Sequence, residues 1–101
     1  MSRSLVELTQ NHQIAPARYA LFSDEEWALI SDSLKLCRRE LQVVQGVFAD
    51  QTEQQIASHL DISYHTVHSY LIRIYRKLDV NSRCELLLEV FAEYRRQQAS
   101  L

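Results

Sequence analysis

The stretch Thr52-Glu53-Gln54-Gln55-Ile56-Ala57-Ser58-His59-Leu60-Asp61-Ile62-Ser63-Tyr64-His65-Thr66-Val67-His68-Ser69-Tyr70-Leu71-Ile72-Arg73-Ile74-Tyr75-Arg76-Lys77-Leu78 decides the fold. Thr52 followed three residues later by Gln55 has the form of a capping box, so a short helix starts there and buries Ile56, Ala57 and Leu60. Leu60-Asp61-Ile62-Ser63 is a tight turn, and Ser63 is placed to cap a second helix that runs to about Leu78, roughly 22 Å long. On a wheel at 100° per residue, Leu71, Ile74 and Leu78 fall within about 40° of Val67, which makes one narrow buried seam. The opposite face then presents His65, Ser69, Ile72, Arg73 and Arg76, with His68 at its edge. Two helices joined by a tight turn, the second with a seam on one side and donors on the other, describe a helix-turn-helix.

Working outward, Ser23 with Glu26 at the third helical position and acid at Asp24 and Glu25 predicts a helix from there to about Leu34. Trp27, Ile30 and Leu34 form its inward stripe. A helix over Arg38 to Ala49 carries Leu41, Val44 and Phe48 on one face, with Val43 and Val47 beside it, and frays at Asp50. The last helix, about Ser82 to Gln97, groups Leu86, Leu87, Val90 and Tyr94 and turns Leu88 the other way. Residues 1–22 hold no sustained period and include Pro16, so they are read as a flexible arm with room for a short helix around Leu5 to Leu8. The expected organisation is that arm, then a domain over residues 23–101 with its motif at about 52–78 and its last helix at about 82–97.

Composition sets the limits. A chain of 101 residues has room for one domain of ordinary size. A single Gly and a single Pro disfavour hairpins and tight strand turns, so the expected class is all-α. Cys37 and Cys84 share no close spacing with histidines, which suggests neither a metal site nor a disulfide framework; they are expected to be small buried fillers in a reduced, cytoplasmic protein. No apolar run approaches the length of a membrane span. The formal net charge is −2, whereas a nucleic-acid binder usually shows a basic surplus. The distribution answers part of this: Arg73, Arg76, Lys77 and Arg83 stand against Asp79 alone between Tyr64 and Arg83, while Asp24, Glu25, Glu26 and Asp32 lie before the motif and Glu85, Glu89 and Glu93 after it.

The residues from Thr52 to His68, with Ile74-Tyr75-Arg76-Lys77-Leu78-Asp79-Val80-Asn81-Ser82-Arg83 and the upstream Arg39-Glu40-Leu41-Gln42-Val43-Val44, resemble the helix-turn-helix of LuxR-type bacterial regulators. The resemblance covers about residues 36 to 95. It implies a four-helix DNA-binding domain, here with an extra N-terminal helix and arm, whose helix from Ser63 to Leu78 enters the major groove and whose last helix serves dimerisation. On this basis the residues assigned to double-stranded DNA are Thr52, Ser63, His65, Thr66, His68, Ser69, Ile72, Arg73, Arg76 and Lys77. Leu87, Leu88 and Phe91 are assigned to a homodimer that forms in solution or only on DNA. Such regulators often carry an input domain ahead of the helix-turn-helix domain, and the roughly 35 residues ahead of the resembling region cannot form one. The expectation is therefore that the input signal is missing from the chain, or that the protein works constitutively or through a partner such as RNA polymerase or a separate sensor protein. A Lys is usual where His68 stands, a His where Tyr70 stands, and a Gly where Asp50 and Asp79 stand. Asp accepts the left-handed backbone less readily than Gly, and a His in place of Lys makes a permanent contact titratable.

Competing readings accompany each assignment. His65 and His68 could pair on a metal, but no third ligand is near, so no metal and no cofactor is expected. Ile72 is either a stray exposed aliphatic or a contact for a thymine methyl. Arg39 and Glu40 are assigned to a buried structural ion pair involving groups such as Arg83. The function expected is sequence-specific DNA binding and transcription regulation. The rivals are a sigma-factor-like promoter reader and an interaction module that has lost DNA binding. No nucleophile, base and orienting residue form a catalytic group, so no enzyme is expected.

Overall fold

The computed structural model describes residues 20–100, and the arm residues before Ala20, with the helix entertained around Leu5 to Leu8, lie outside them. Five helices and no strand occur among the described residues: α1 (Asp24–Leu34), α2 (Arg38–Phe48), α3 (Glu53–Leu60), α4 (Tyr64–Leu78) and α5 (Arg83–Ala99). The all-α expectation is met, and α1, α3 and α4 begin where the sequence places their caps, at Ser23, Thr52 and Ser63. Ser23 and Thr52 each complete a reciprocal capping box, with Glu26 and Gln55 returning to the cap N–H at 2.8 and 2.9 Å. Ser63 and Ser82 accept from the N–H groups of Thr66 and Glu85.

Helix ends show the complementary device. Lys35, Asp50, Asp61 and Asp79 all have φ near +58°, the left-handed region that usually favours glycine. The only glycine, Gly46, is instead buried inside α2. Asp50 and Asp79 therefore adopt the left-handed backbone at the two positions where the resemblance implies glycine, with Asp in place of the residue that adopts it freely.

The core lies where the five helices meet. Ile30, Val43, Val44, Ile56, Val67, Ile74, Leu86 and Val90 are wholly removed from solvent. In α4 the seam is Val67, Leu71 and Ile74, with Leu78 half-buried at its end. Burying an aliphatic side chain of this size contributes about 1.5–3 kcal/mol, so the seam fixes the rotation of α4 and thereby its exposed face. Truncating Leu71 to Ala would cost about 2–5 kcal/mol.

Phe22, one residue ahead of the boundary set by the Ser23 cap, is buried and touches Trp27, Phe48, Phe91 and Tyr94, with ring centroids 4.9–5.7 Å apart. The packed unit thus includes Phe22. Helix α1 lies along α5, joined by Tyr94 Oη donating to Glu26 (2.8 Å), Gln97 Nε2 donating to the Leu29 carbonyl (2.8 Å) and Ser33 donating to Glu93.

Two expectations are corrected. Cys37 and Cys84 are exposed, because both sit at the starts of helices, as the N-cap of α2 and in the first turn of α5. Glu40 is buried at 1% exposure but pairs with Lys77 at 2.7 Å, not with Arg83, whose guanidinium donates to the Gln51 carbonyl. Arg39 donates to Gln42. Burial pushes the Glu40 carboxyl up, but the Lys77 ammonium and the Cys37 N–H outweigh it and hold the group below its ordinary value.

Candidate nucleic-acid interface

The site is built on α4, which contains no acidic residue and carries Arg73, Arg76 and Lys77. Its rotation, set by the Val67, Leu71 and Ile74 seam, leaves His65, Thr66, His68, Ser69, Ile72, Arg73 and Arg76 exposed. Ser69, Ile72, Arg73 and Arg76 line one open surface depression. Ile72 is 40% exposed, unusual for an aliphatic on a face otherwise made of donors. The Arg73 guanidinium lies 5.3 Å from the centre of the Tyr70 ring, which holds it beside its own helix.

The hydroxyls assigned from the sequence serve the backbone as well. Thr52 accepts from the Gln55 N–H at 3.1 Å, and Ser63 accepts from the Thr66 N–H at 3.0 Å and shares a bond with the Thr66 hydroxyl at 2.9 Å. All three residues are exposed at the helix starts that frame the turn. Lys77 is placed differently from the other assigned cations. Its ammonium is committed to the Glu40 carboxylate and the Lys35 carbonyl, both inside the domain.

His68 has a neighbour that the sequence did not mark. Its Nδ1 lies 3.1 Å from Oε1 of Glu53, at the first position of α3, and its ring is nearly parallel to that of Tyr64, 14° apart in plane and 6.2 Å between centroids. Glu53 and His68 are fifteen residues apart, so helical spacing alone gives no sign of the pair.

On the far side, Leu88 is 64% exposed and Phe91 37%, one turn apart on α5. Leu87 is half-buried and lines a shallow groove with Val47, Phe48, Asp50, Arg83 and Cys84. The three residues assigned to dimerisation therefore divide between an exposed pair and a groove wall. Among the described residues, no group of three or more His, Cys, Asp or Glu side chains is disposed to hold a metal ion, and no helix is long and apolar enough to cross a membrane.

A family model for bacterial regulatory proteins of the luxR family matches residues 34–90, more than half of the chain. The match runs from the end of α1 to the middle of α5 and so contains the whole of α2, α3 and α4. Comparison with curated proteins and with solved structures gives no match.

Proposed function

The chain belongs to the luxR family of bacterial regulatory proteins, and from that premise we propose that it binds a specific double-stranded DNA sequence and regulates transcription, without catalysis. The observation that carries the reading is the exposed face of α4, where Ser69, Ile72, Arg73 and Arg76 share one depression on a helix without acidic residues. A helix so exposed fits the major groove, where Arg reaches the acceptors of guanine, Ser bonds bases or phosphates, and an aliphatic meets the thymine methyl. Arg73, His68 and Thr66 stand toward the flanks of that face and contact phosphates; Ser69, Ile72 and Arg76 stand nearer its centre. Thr52 and Ser63 face the backbone from the helix starts, and His65 stands at the end of α4 nearest the turn. Lys77 is left out of these contacts because its ammonium already has two partners.

A globally acidic chain with one basic helix has modest affinity for DNA as a monomer. Two copies paired through Leu88 and Phe91 would double the contact and set recognition helices on half-sites about 34 Å apart. Such a protein works in the cytoplasm, on the nucleoid, with polymerase or a sensor protein as its further partner.

The test is selection of bound duplexes from a random DNA pool at two salt concentrations. An enriched site with weaker retention at higher salt supports the reading. A chain that folds but is not retained on DNA at low salt is an interaction module instead.

A further inference from the structure

On α4, His68 stands about 100° from the buried seam, at one border of the face that Arg76 and Ser69 centre. A side chain at that border meets the sugar-phosphate backbone rather than base edges. A phosphate offers only acceptors, and an imidazole meets it productively only through an N–H. The Glu53 carboxylate is also an acceptor, and it stands at Nδ1, 3.1 Å away. An ionised carboxylate there requires Nδ1 to carry a proton. In the neutral ring that leaves Nε2 as a bare lone pair, which a phosphate repels. In the imidazolium Nε2 becomes a donor, and the ring bridges a carboxylate on one side and a phosphate on the other.

We propose, resting on the DNA-binding reading above, that Glu53 is a positioning residue for DNA contact: it binds Nδ1 of His68, so that Nε2 is the nitrogen presented outward, where the ring bridges the carboxylate and a DNA phosphate. The Tyr64 ring, nearly parallel to the imidazole, flanks one face of it. The imidazole meets Glu53 from α3 and Tyr64 from α4, and the Tyr64 ring also meets the ring of His65 edge-on. Beyond Glu53, burial pushes the Tyr75 phenol further above its ordinary value, so it adds no charge there near neutral pH.

The linkage has a definite sign. A phosphate at Nε2 raises the proton affinity of His68 in the complex above that in the free protein. The gain in binding is therefore complete below the free value and is lost as pH rises through the bound value. A permanent cation at this position would show no such limb.

The proposal separates two opposite effects of removing an acid from a DNA-facing surface. If Glu53 were only a surface anion, replacing it would relieve repulsion and tighten binding. As a positioning residue, its loss weakens binding. The experiment measures affinity by fluorescence anisotropy from pH 5.5 to 8 at fixed ionic strength, with a duplex taken from the selection above and a random duplex. The proteins are the full chain and its E53Q, E53A, H68K and H68K/E53A forms. The expected result is a wild-type affinity that rises toward acid, and an E53A affinity about five- to tenfold lower at neutral pH. E53Q, which keeps an acceptor but not the charge, should approach wild type at the acid end. In the H68K background, which removes the imidazole, loss of Glu53 should leave affinity unchanged or raise it.

Imidazole nitrogen chemical shifts of His68 give a readout independent of DNA. They should report the neutral Nδ1–H tautomer in wild type and a mixture in E53A. Equal or tighter binding by E53A with an unchanged pH profile overturns the proposal, as does an Nε2–H tautomer in wild type. Failure of wild type and H68K alike to bind either duplex overturns the parent reading and this one with it. Binding by H68K with a flat pH profile for wild type overturns this one alone.

Discussion

The ammonium of Lys77 lies 2.7 Å from Oε1 of Glu40 and 2.8 Å from the carbonyl oxygen of Lys35. One cation near the end of α4 is thereby shared by the first turn of α2 and the residue that ends α1. The placement is favourable twice, since it neutralises a buried carboxylate and puts positive charge at a helix C-terminus.

Breaking this pair should be costly. Lys77→Met leaves a carboxylate at 1% exposure without its cation and is expected to lower stability by about 3 kcal/mol, measured by urea unfolding. Adding Glu40→Gln should recover much of that. The sign with pH also follows: the Glu40 carboxyl is held below its ordinary 4.5, so its contribution is present above that value and disappears as pH falls through the folded value. Glu40→Gln should therefore flatten the acid limb of the stability curve, and an unchanged limb would show that the pair contributes nothing.

The exposed face of α4 should divide by function. Arg73→Ala is expected to weaken binding to all duplexes and reduce the salt slope by about one unit. Arg76→Ala and Ile72→Ala should relax preference at one or two positions of the site, by about 1–3 kcal/mol each. Profiles of the three variants against a saturation-mutated site check this, and profiles that differ only by a constant would assign the whole face to backbone contact.

The turn after α4 holds a correctable strain. Asp79 ends the helix at φ 57°, where a Cβ is disfavoured and its carboxylate meets the negative end of the helix dipole. Asp79→Gly is expected to raise stability by about 0.5–1 kcal/mol in thermal unfolding. A lower melting temperature would mean that the Asp79 side chain makes compensating contacts.

What the sequence disclosed and what it hid differ in kind. Three helix starts were legible because Ser23, Thr52 and Ser63 act on neighbours three residues away, and the α4 seam was legible because helical periodicity is local. The partners of Glu40 and His68 were not, since they lie 37 and 15 residues off and depend on how helices cross. Lys77 illustrates the difference: on its own helix it is one cation among three, and only the packing of α4 against α2 ties its ammonium to Glu40 and the Lys35 carbonyl. The cysteines were misjudged because small apolar side chains are usually buried, whereas these two occupy helix starts, which the fold leaves in water.

The far face of α5 should govern assembly. Leu88→Glu is expected to leave the circular dichroism spectrum and melting temperature nearly unchanged, because the side chain is 64% exposed. It should lower affinity for a two-half-site duplex by about tenfold while sparing a single half-site. Unchanged sedimentation and unchanged binding together would place the pairing surface elsewhere.

The seam between α1 and α5 has a mechanical consequence. Phe22 is wedged among Phe48, Phe91 and Tyr94, and the polar links from Glu26, Leu29 and Ser33 run to Tyr94, Gln97 and Glu93 along about one turn of α5. A pull or twist applied at Ala20 is therefore borne first by α5, the helix that displays Leu88, and by Phe48 of α2, and it meets α4 through the bond from Lys77 to the Lys35 carbonyl at the other end of α1. If two copies pair through Leu88 as proposed, tension at that end of the molecule would act as a lever on how they are angled toward each other.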